Sequence, residues 1–157
     1  GLNMQQFYAK IFETIAMAKV ATSAVEGKEL AYFRRSDRIS MNRDQQLWDA
    51  RELVLGLSRF HRKPEPALIP VMGENLRGIA TAILYNMRHG NYISDYDVHV
   101  SQKLVHVLSG GDCAEGTFVT EQEILDLERE AFMSLCGETK TQDRMMHILN
   151  TGKPLRN

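Results

Sequence analysis

Apolar residues recur at three- and four-residue spacing through almost the whole chain, and this constrains the fold more than any other feature. Phe7, Ile11, Ile15 and Ala18 form one such row, with Tyr8 and Phe12 widening it. The spacing puts these side chains on one side of a helix, so residues 4–20 are expected to be helical. Residues 24–33 read as a short second helix that Gly27 weakens. In the third, Leu47, Ala50, Val54 and Leu57 share a face that Trp48, Leu53 and Leu55 broaden, which predicts cover on more than one side. Asn42 with Gln45 resembles the capping pair that opens it. Between the second and third helices, Asp37 to Met41 alternate polar and apolar residues, which suits an extended segment.

The clearest break follows. Pro64, Pro66 and Pro70 fall within seven residues, and such a density fixes backbone angles and removes donors that a helix needs. Residues 63–72 are therefore expected to form a connector between an N-terminal helical subdomain, 1–62, and a C-terminal one, 73–157. Beyond it, residues 73–88 predict a helix stopped at Gly90. Ser94 with Asp97 opens the next, which Gly110-Gly111 ends. On that helix Val98, Ser101, Val105 and Leu108 lie on one side. Residues 112–119 read as a loop. Thr120 with Glu123 forms a capping box before the Ile124, Leu127, Ala131 and Leu135 row, and Thr139 with Gln142 starts the last helix. The expected fold class is all-α, with about six helices in two subdomains.

Bulk properties narrow the function. A chain of 157 residues with 43% hydrophobic content has room for one sizeable core. A formal net charge of -1 gives no electrostatic reason for a nucleic-acid partner. No apolar run approaches the ~20 residues that span a bilayer. Cys113 and Cys136 form no CxxC or His/Cys cluster, so a reduced, cytoplasmic protein is expected. The opening Gly1-Leu2-Asn3-Met4 reads as residues added before Met4 or as a cut within a longer polypeptide. The closing Gly152-Lys153-Pro154-Leu155-Arg156-Asn157 reads as a natural terminus.

No catalytic set assembles on paper. Asp95, Asp97 and His99 invite a metal reading, but residues two apart on a helix diverge, and Asp95 with His99 supplies only two ligands. The acidic run Glu121, Glu123, Asp126, Glu128 and Glu130 suits a solvated first turn favoured by the helix dipole. The Arg34-Arg35-Ser36-Asp37-Arg38 cluster and the Lys153/Arg156 tail are the concentrated positive features, and such clusters usually keep a surface wet. HExxH, GxSxG, P-loop and GxGxxG patterns are all missing. No catalytic residue and no metal ligand is assigned.

Several phrases carry a family resemblance. Ser23 to Phe33, then Asp37-Arg38-Ile39-Ser40-Met41-Asn42 and the helix from Leu47 to Leu57, resemble part of the crotonase (enoyl-CoA hydratase/isomerase) pattern. Ser109-Gly110-Gly111-Asp112, Leu125-Asp126-Leu127-Glu128-Arg129-Glu130-Ala131-Phe132 and Gly152-Lys153-Pro154-Leu155-Arg156-Asn157 resemble the end of bacterial bifunctional 3-hydroxyacyl-CoA dehydrogenase/enoyl-CoA hydratases. The resemblance covers nearly the whole chain from Met4. It implies the C-terminal helical region of a crotonase-fold module without its ββα core. The core's two carbonyl-polarising N–H groups and two glutamates, and the dehydrogenase's dinucleotide-binding glycines, would lie elsewhere.

By the same resemblance these helices cap the acyl pocket and build subunit contacts. They also lend Phe132, and with a displaced position Lys153, to coenzyme A. The implied partners are the remainder of the parent polypeptide, acyl-CoA and further copies of the chain. NAD and a coenzyme A thioester are expected for the full-length parent, and no cofactor for this fragment. Apolar faces such as Phe7/Ile11 or Trp48/Leu55 are expected to mediate self-association. A stand-alone helical protein-interaction module is the alternative, and a small DNA-binding regulator the weakest reading.

Overall fold

The computed structural model describes residues 3–157. Among them are seven α-helices: α1 (Met4–Ala16), α2 (Ala24–Glu29), α3 (Gln46–Ser58), α4 (Gly73–His89), α5 (Asp95–Leu108), α6 (Glu121–Cys136) and α7 (Thr139–Thr151). One 3-10 turn, Arg43–Gln45, precedes α3. Two three-residue strands, β1 (Leu68–Pro70) and β2 (Phe118–Thr120), pair antiparallel with Ile69 opposite Val119. The all-α expectation holds in substance. The small sheet is an addition to it, drawn from what read as connector and loop. Pro70 sits in a two-stranded ribbon, where no second neighbour needs its missing N–H.

The chain divides into two compact units. One is Ala18–Glu65; the other joins the segment up to Met17 with Pro66–Asn157. This differs from the expected boundaries, because α1 packs on α4 and α5. Phe12 packs with Ala80, Leu84 and Val105, while Tyr8 packs with Met72 and Leu76. The Tyr8 hydroxyl also donates to the Pro70 carbonyl at 2.6 Å. In this unit α5 touches α1, α4 and α6, and α6 touches α7.

Close backbone approach fixes the start of α4. Gly73 has φ 48°, and a Cβ there would lie 2.2 Å from the Cys113 carbonyl oxygen. At the far end of α5, Gly110 and Gly111 have φ 78° and 76°, as the expected stop requires. The stop of α4 works differently. Gly90 has φ -77°, and Asn91 takes the left-handed conformation at φ 58°. What Gly90 supplies is space, since a Cβ would meet the Tyr92 ring at 2.6 Å.

The capping boxes at Ser94/Asp97 and Thr120/Glu123 both form. Other termini depart from the sequence reading. α1 ends at Ala16, with Ala18 turning left-handed at φ 48°, short of residue 20. Asn42 caps the 3-10 turn through Asp44 N–H, and Gln45 takes no part. α7 begins after Glu138, whose carboxylate is engaged elsewhere, so the Thr139/Gln142 box does not form.

Within Ala18–Glu65, α2 is capped by Ser23 and stops where Ala31 turns left-handed. Gly27 is buried there because the Phe33 ring lies where its Cβ would be. Helix α3 buries none of its side chains. Leu47, Val54, Leu57 and the following Phe60 are exposed, contrary to the cover its two-sided apolar pattern predicts.

Candidate functional site

In the unit containing α4–α7, an apolar cleft of about 830 Å3 lies between α1, α5 and α6. Ile15 closes one end, Leu104, Val107 and Leu108 line the α5 wall, and Ile124, Leu125, Phe132 and Leu135 line the α6 wall. The local reason is the width of the apolar rows. α5 carries one row toward α1 and α4 and a second, Val100, Leu104 and Val107, that α6 only partly covers. Phe132, expected from the resemblance, lies on the lip and is 55% exposed. Lys153 follows α7, is exposed, and does not line the cleft. Its backbone N–H donates to Thr151 Oγ1 at 3.2 Å.

One cleft residue escaped notice as a functional candidate. Ser101 is only 8% exposed and lines the cleft, and its hydroxyl oxygen stays within reach of solvent, since no buried side-chain oxygen or nitrogen among the described residues lacks a partner. The signal was present in the sequence, as a lone hydroxyl within the Val98, Val105, Leu108 row.

Polar side chains gather at the N-terminal end of α5, where Asp97 and Arg144 border the cleft and clasp α7. Arg144 pairs with Asp97 at 2.8 Å, both side chains being 19% exposed. The guanidinium lies 4.9 Å from the Tyr96 ring centre, and its Nε donates to Asn157 Oδ1 at 2.8 Å. Ser94 Oγ donates to the Asn157 carbonyl at 2.9 Å, tying the chain's last residue to the cap of α5. The Tyr96 hydroxyl donates to Glu138 Oε2 at 2.8 Å, and His99 Nε2 meets Glu138 Oε1 at 2.9 Å.

These contacts disperse the Asp95, Asp97 and His99 triplet, which takes three separate partners: Arg88, Arg144 and Glu138. Among the described residues no three His, Cys, Asp or Glu side chains converge as metal ligands. Burial pushes the Asp97 carboxyl up. The Ser94 backbone N–H, the Arg144 guanidinium and the Ser94 hydroxyl outweigh it and leave the group below its ordinary range. Hydrogen bonds from His99 and then Tyr96 likewise hold Glu138 low.

The acidic run on α6 is likewise dispersed. Glu123 serves the cap, Asp126 answers Arg129 at 2.7 Å, and Glu128 borders the cleft. Among the described residues no helix is long and apolar enough to cross a membrane.

Fold and cleft together define a helical module with an incompletely filled apolar seam. Comparison with known proteins is more specific. The chain is 45% identical over 151 residues to a probable 3-hydroxyacyl-CoA dehydrogenase of Bacillus subtilis (strain 168), an alignment covering 94% of this chain and 19% of that protein. The chain thus spans about a fifth of the length of the curated relative it matches. No family model and no solved structure matches it.

Proposed function

We propose that this chain is a helical region of a fatty-acid β-oxidation enzyme, a 3-hydroxyacyl-CoA dehydrogenase/enoyl-CoA hydratase, and that it works there as a cap and assembly surface without catalysing by itself. The 45% identity sustained over 151 residues carries the dehydrogenase part of this reading. Identity of that extent reflects common descent and not merely shared helical composition. The hydratase part rests on the crotonase-like phrases around residues 23–57 and 125–132. NAD and the coenzyme A thioester are bound by the whole enzyme. NAD is held outside these residues, which offer no glycine-rich turn for it.

Phe132 is the residue of this chain best placed to meet coenzyme A, being aromatic, half exposed and set on the lip of an apolar cleft. Lys153 supplies a cation for phosphate only if the segment after α7 folds toward the same ligand. The enzyme acts in the cytoplasm as a homo-oligomer, for which the exposed apolar faces at Phe7 and at Trp48/Leu55 give material. The same exposed α3 face is what favours the second reading, a stand-alone protein-interaction module.

The isolated chain, assayed spectrophotometrically, is expected to hydrate no crotonyl-CoA and to reduce no NAD with 3-hydroxybutyryl-CoA. The longer polypeptide does both. In it, Phe132→Ala raises KM for acyl-CoA about tenfold while leaving kcat in place, the signature of lost uniform binding. Turnover by the isolated chain overturns the cap reading, and an inactive longer polypeptide overturns the assignment to β-oxidation.

A further inference from the structure

We propose that the Ala18–Glu65 unit docks on a second copy of this chain, with the Trp48/Leu55 face of α3 against an acidic groove beside α6; this rests on the assembly-surface part of the functional reading above. Three observations carry it.

The first is that this unit has no core of its own. None of its apolar side chains is fully buried. Twelve of its large apolar side chains are exposed, Met41, Leu47 and Phe60 by more than four-fifths. Ordering a segment costs about 1–2 kcal/mol per residue in backbone entropy, which burial of apolar surface has to offset. A unit that buries so little itself is suited to burying surface against a partner.

The second is charge. The unit holds ten Lys and Arg against seven Asp and Glu, whereas the rest of the chain holds nine against thirteen. Just beyond α3, Arg59, Arg62 and Lys63 are exposed and enter no ion pair among the described residues. Trp48, Leu55 and Arg59 follow one another at seven- and four-residue spacing. This face of α3 therefore joins apolar surface to free cations.

The third is a groove of complementary character. It has a volume of about 760 Å3 and lies beside α6, between the Gly110–Cys113 turn and β2. Val119, Leu127 and Met133 supply its apolar lining, and the carboxylates of Glu123, Asp126 and Glu130 outnumber its one lining cation, Arg129. Asp126, Glu130 and Met133 follow at four- and three-residue spacing, so two carboxylates and a 66% exposed apolar side chain share one face. Glu130 enters no ion pair among the described residues. Opposite that face, Arg59 and Arg62 answer Asp126 and Glu130, and the Trp48 ring meets the Met133 sulfur, a favourable contact.

A second copy fits because each chain carries one cationic apolar face and one acidic apolar groove. Two chains that exchange these units satisfy both surfaces of each and close the assembly, whereas a one-way contact leaves one of each open.

The test follows the 157-residue chain by sedimentation velocity over a concentration series, with the fluorescence of Trp48, its single tryptophan, as local probe. A dimer is expected to form as concentration rises, with Trp48 emission shifting to the blue in step. Its dissociation constant is expected to rise roughly tenfold between about 0.05 and 0.5 M salt, a series that needs no variant. Arg59→Glu/Arg62→Glu and Asp126→Arg/Glu130→Arg, all at exposed positions, are each expected to weaken pairing roughly tenfold. An equimolar mixture of the two variants is expected to pair as tightly as the parent chain, since reversed face then meets reversed groove. Association indifferent to the reversals, or not restored by mixing, overturns the proposal and leaves the assembly reading standing. A chain that stays monomeric overturns both. A Trp48 shift independent of concentration places the face on its own chain, and one that requires phosphatidylglycerol vesicles places it on a bilayer; either overturns the proposal. Acyl-CoA turnover by the longer polypeptide tests the β-oxidation reading separately, so an active enzyme that does not pair sinks only the assembly claims.

Discussion

Arg144 reaches Asp97, Tyr96 and Asn157 at once, so its removal leaves a largely buried carboxylate unpaired and frees the chain's last residue. The Asp97 carboxyl is held below the ordinary 3.8 in the folded protein. A depressed carboxylate contributes stability that is fully present above its unfolded pKa and lost as pH falls through the folded one. The clasp therefore weakens under acid, below about pH 4. Asp97→Asn should cost about 2 kcal/mol at neutral pH, and its stability should fall less steeply than that of the parent chain between pH 5 and pH 3, as read by urea unfolding. A steeper fall in the variant than in the parent chain would show that another carboxylate governs acid sensitivity. At Gly73 the restraint is steric. Gly73→Ala combines a positive φ with a Cβ 2.2 Å from a carbonyl oxygen that belongs to backbone. It should destabilise by about 3 kcal/mol or more, a drop in Tm of roughly 6–12 °C for a chain of this size.

At the scale of elements, helix starts separate local from long-range control. Thr120 caps α6 through contacts within its own box, so Thr120→Ala should cost about 1 kcal/mol. Ser94 caps α5 and also donates to the Asn157 carbonyl 63 residues away, so Ser94→Ala should cost about twice that. Thermal unfolding of the two variants side by side decides it; equal losses would mean the tether to Asn157 contributes nothing. Both boxes were legible in the sequence because a cap is made by residues three apart. The start of α7 was not. Glu138 is drawn to His99 and Tyr96 on α5, and no local spacing announces that the box residues Thr139 and Gln142 will be passed over. The strands escaped for a similar reason. Three residues carry too short an alternation to register, and β1 gains its partner from a segment about 50 residues on.

For the whole molecule, the two units differ in what holds them. Every apolar side chain that is fully buried among the described residues lies outside Ala18–Glu65. Stability should divide accordingly. In native-state hydrogen exchange the amides of α4 and α5 around Leu76, Ala80 and Val105 are expected to be the slowest in the chain. Those of α3 should exchange through local opening at far lower free energy. Finding α3 amides as slow as those of α5 would mean that its apolar side chains are covered in solution. Addition of the rest of the longer polypeptide should slow α3 if this helix belongs to an assembly surface.

What the sequence determined by itself was the helical class, the positions of most helices, the two complete capping boxes and the glycine stop after α5. These follow from periodicity and from contacts within a turn, and both are written in neighbouring residues. The tertiary structure alone decided that α1 packs on α4 and α5, that Asp95, Asp97 and His99 go to separate partners, and that Ser101 and Phe132 line one open cleft. An apolar row marks a face of a helix without naming what will cover it, so those outcomes depend on which faces meet once the chain has closed on itself.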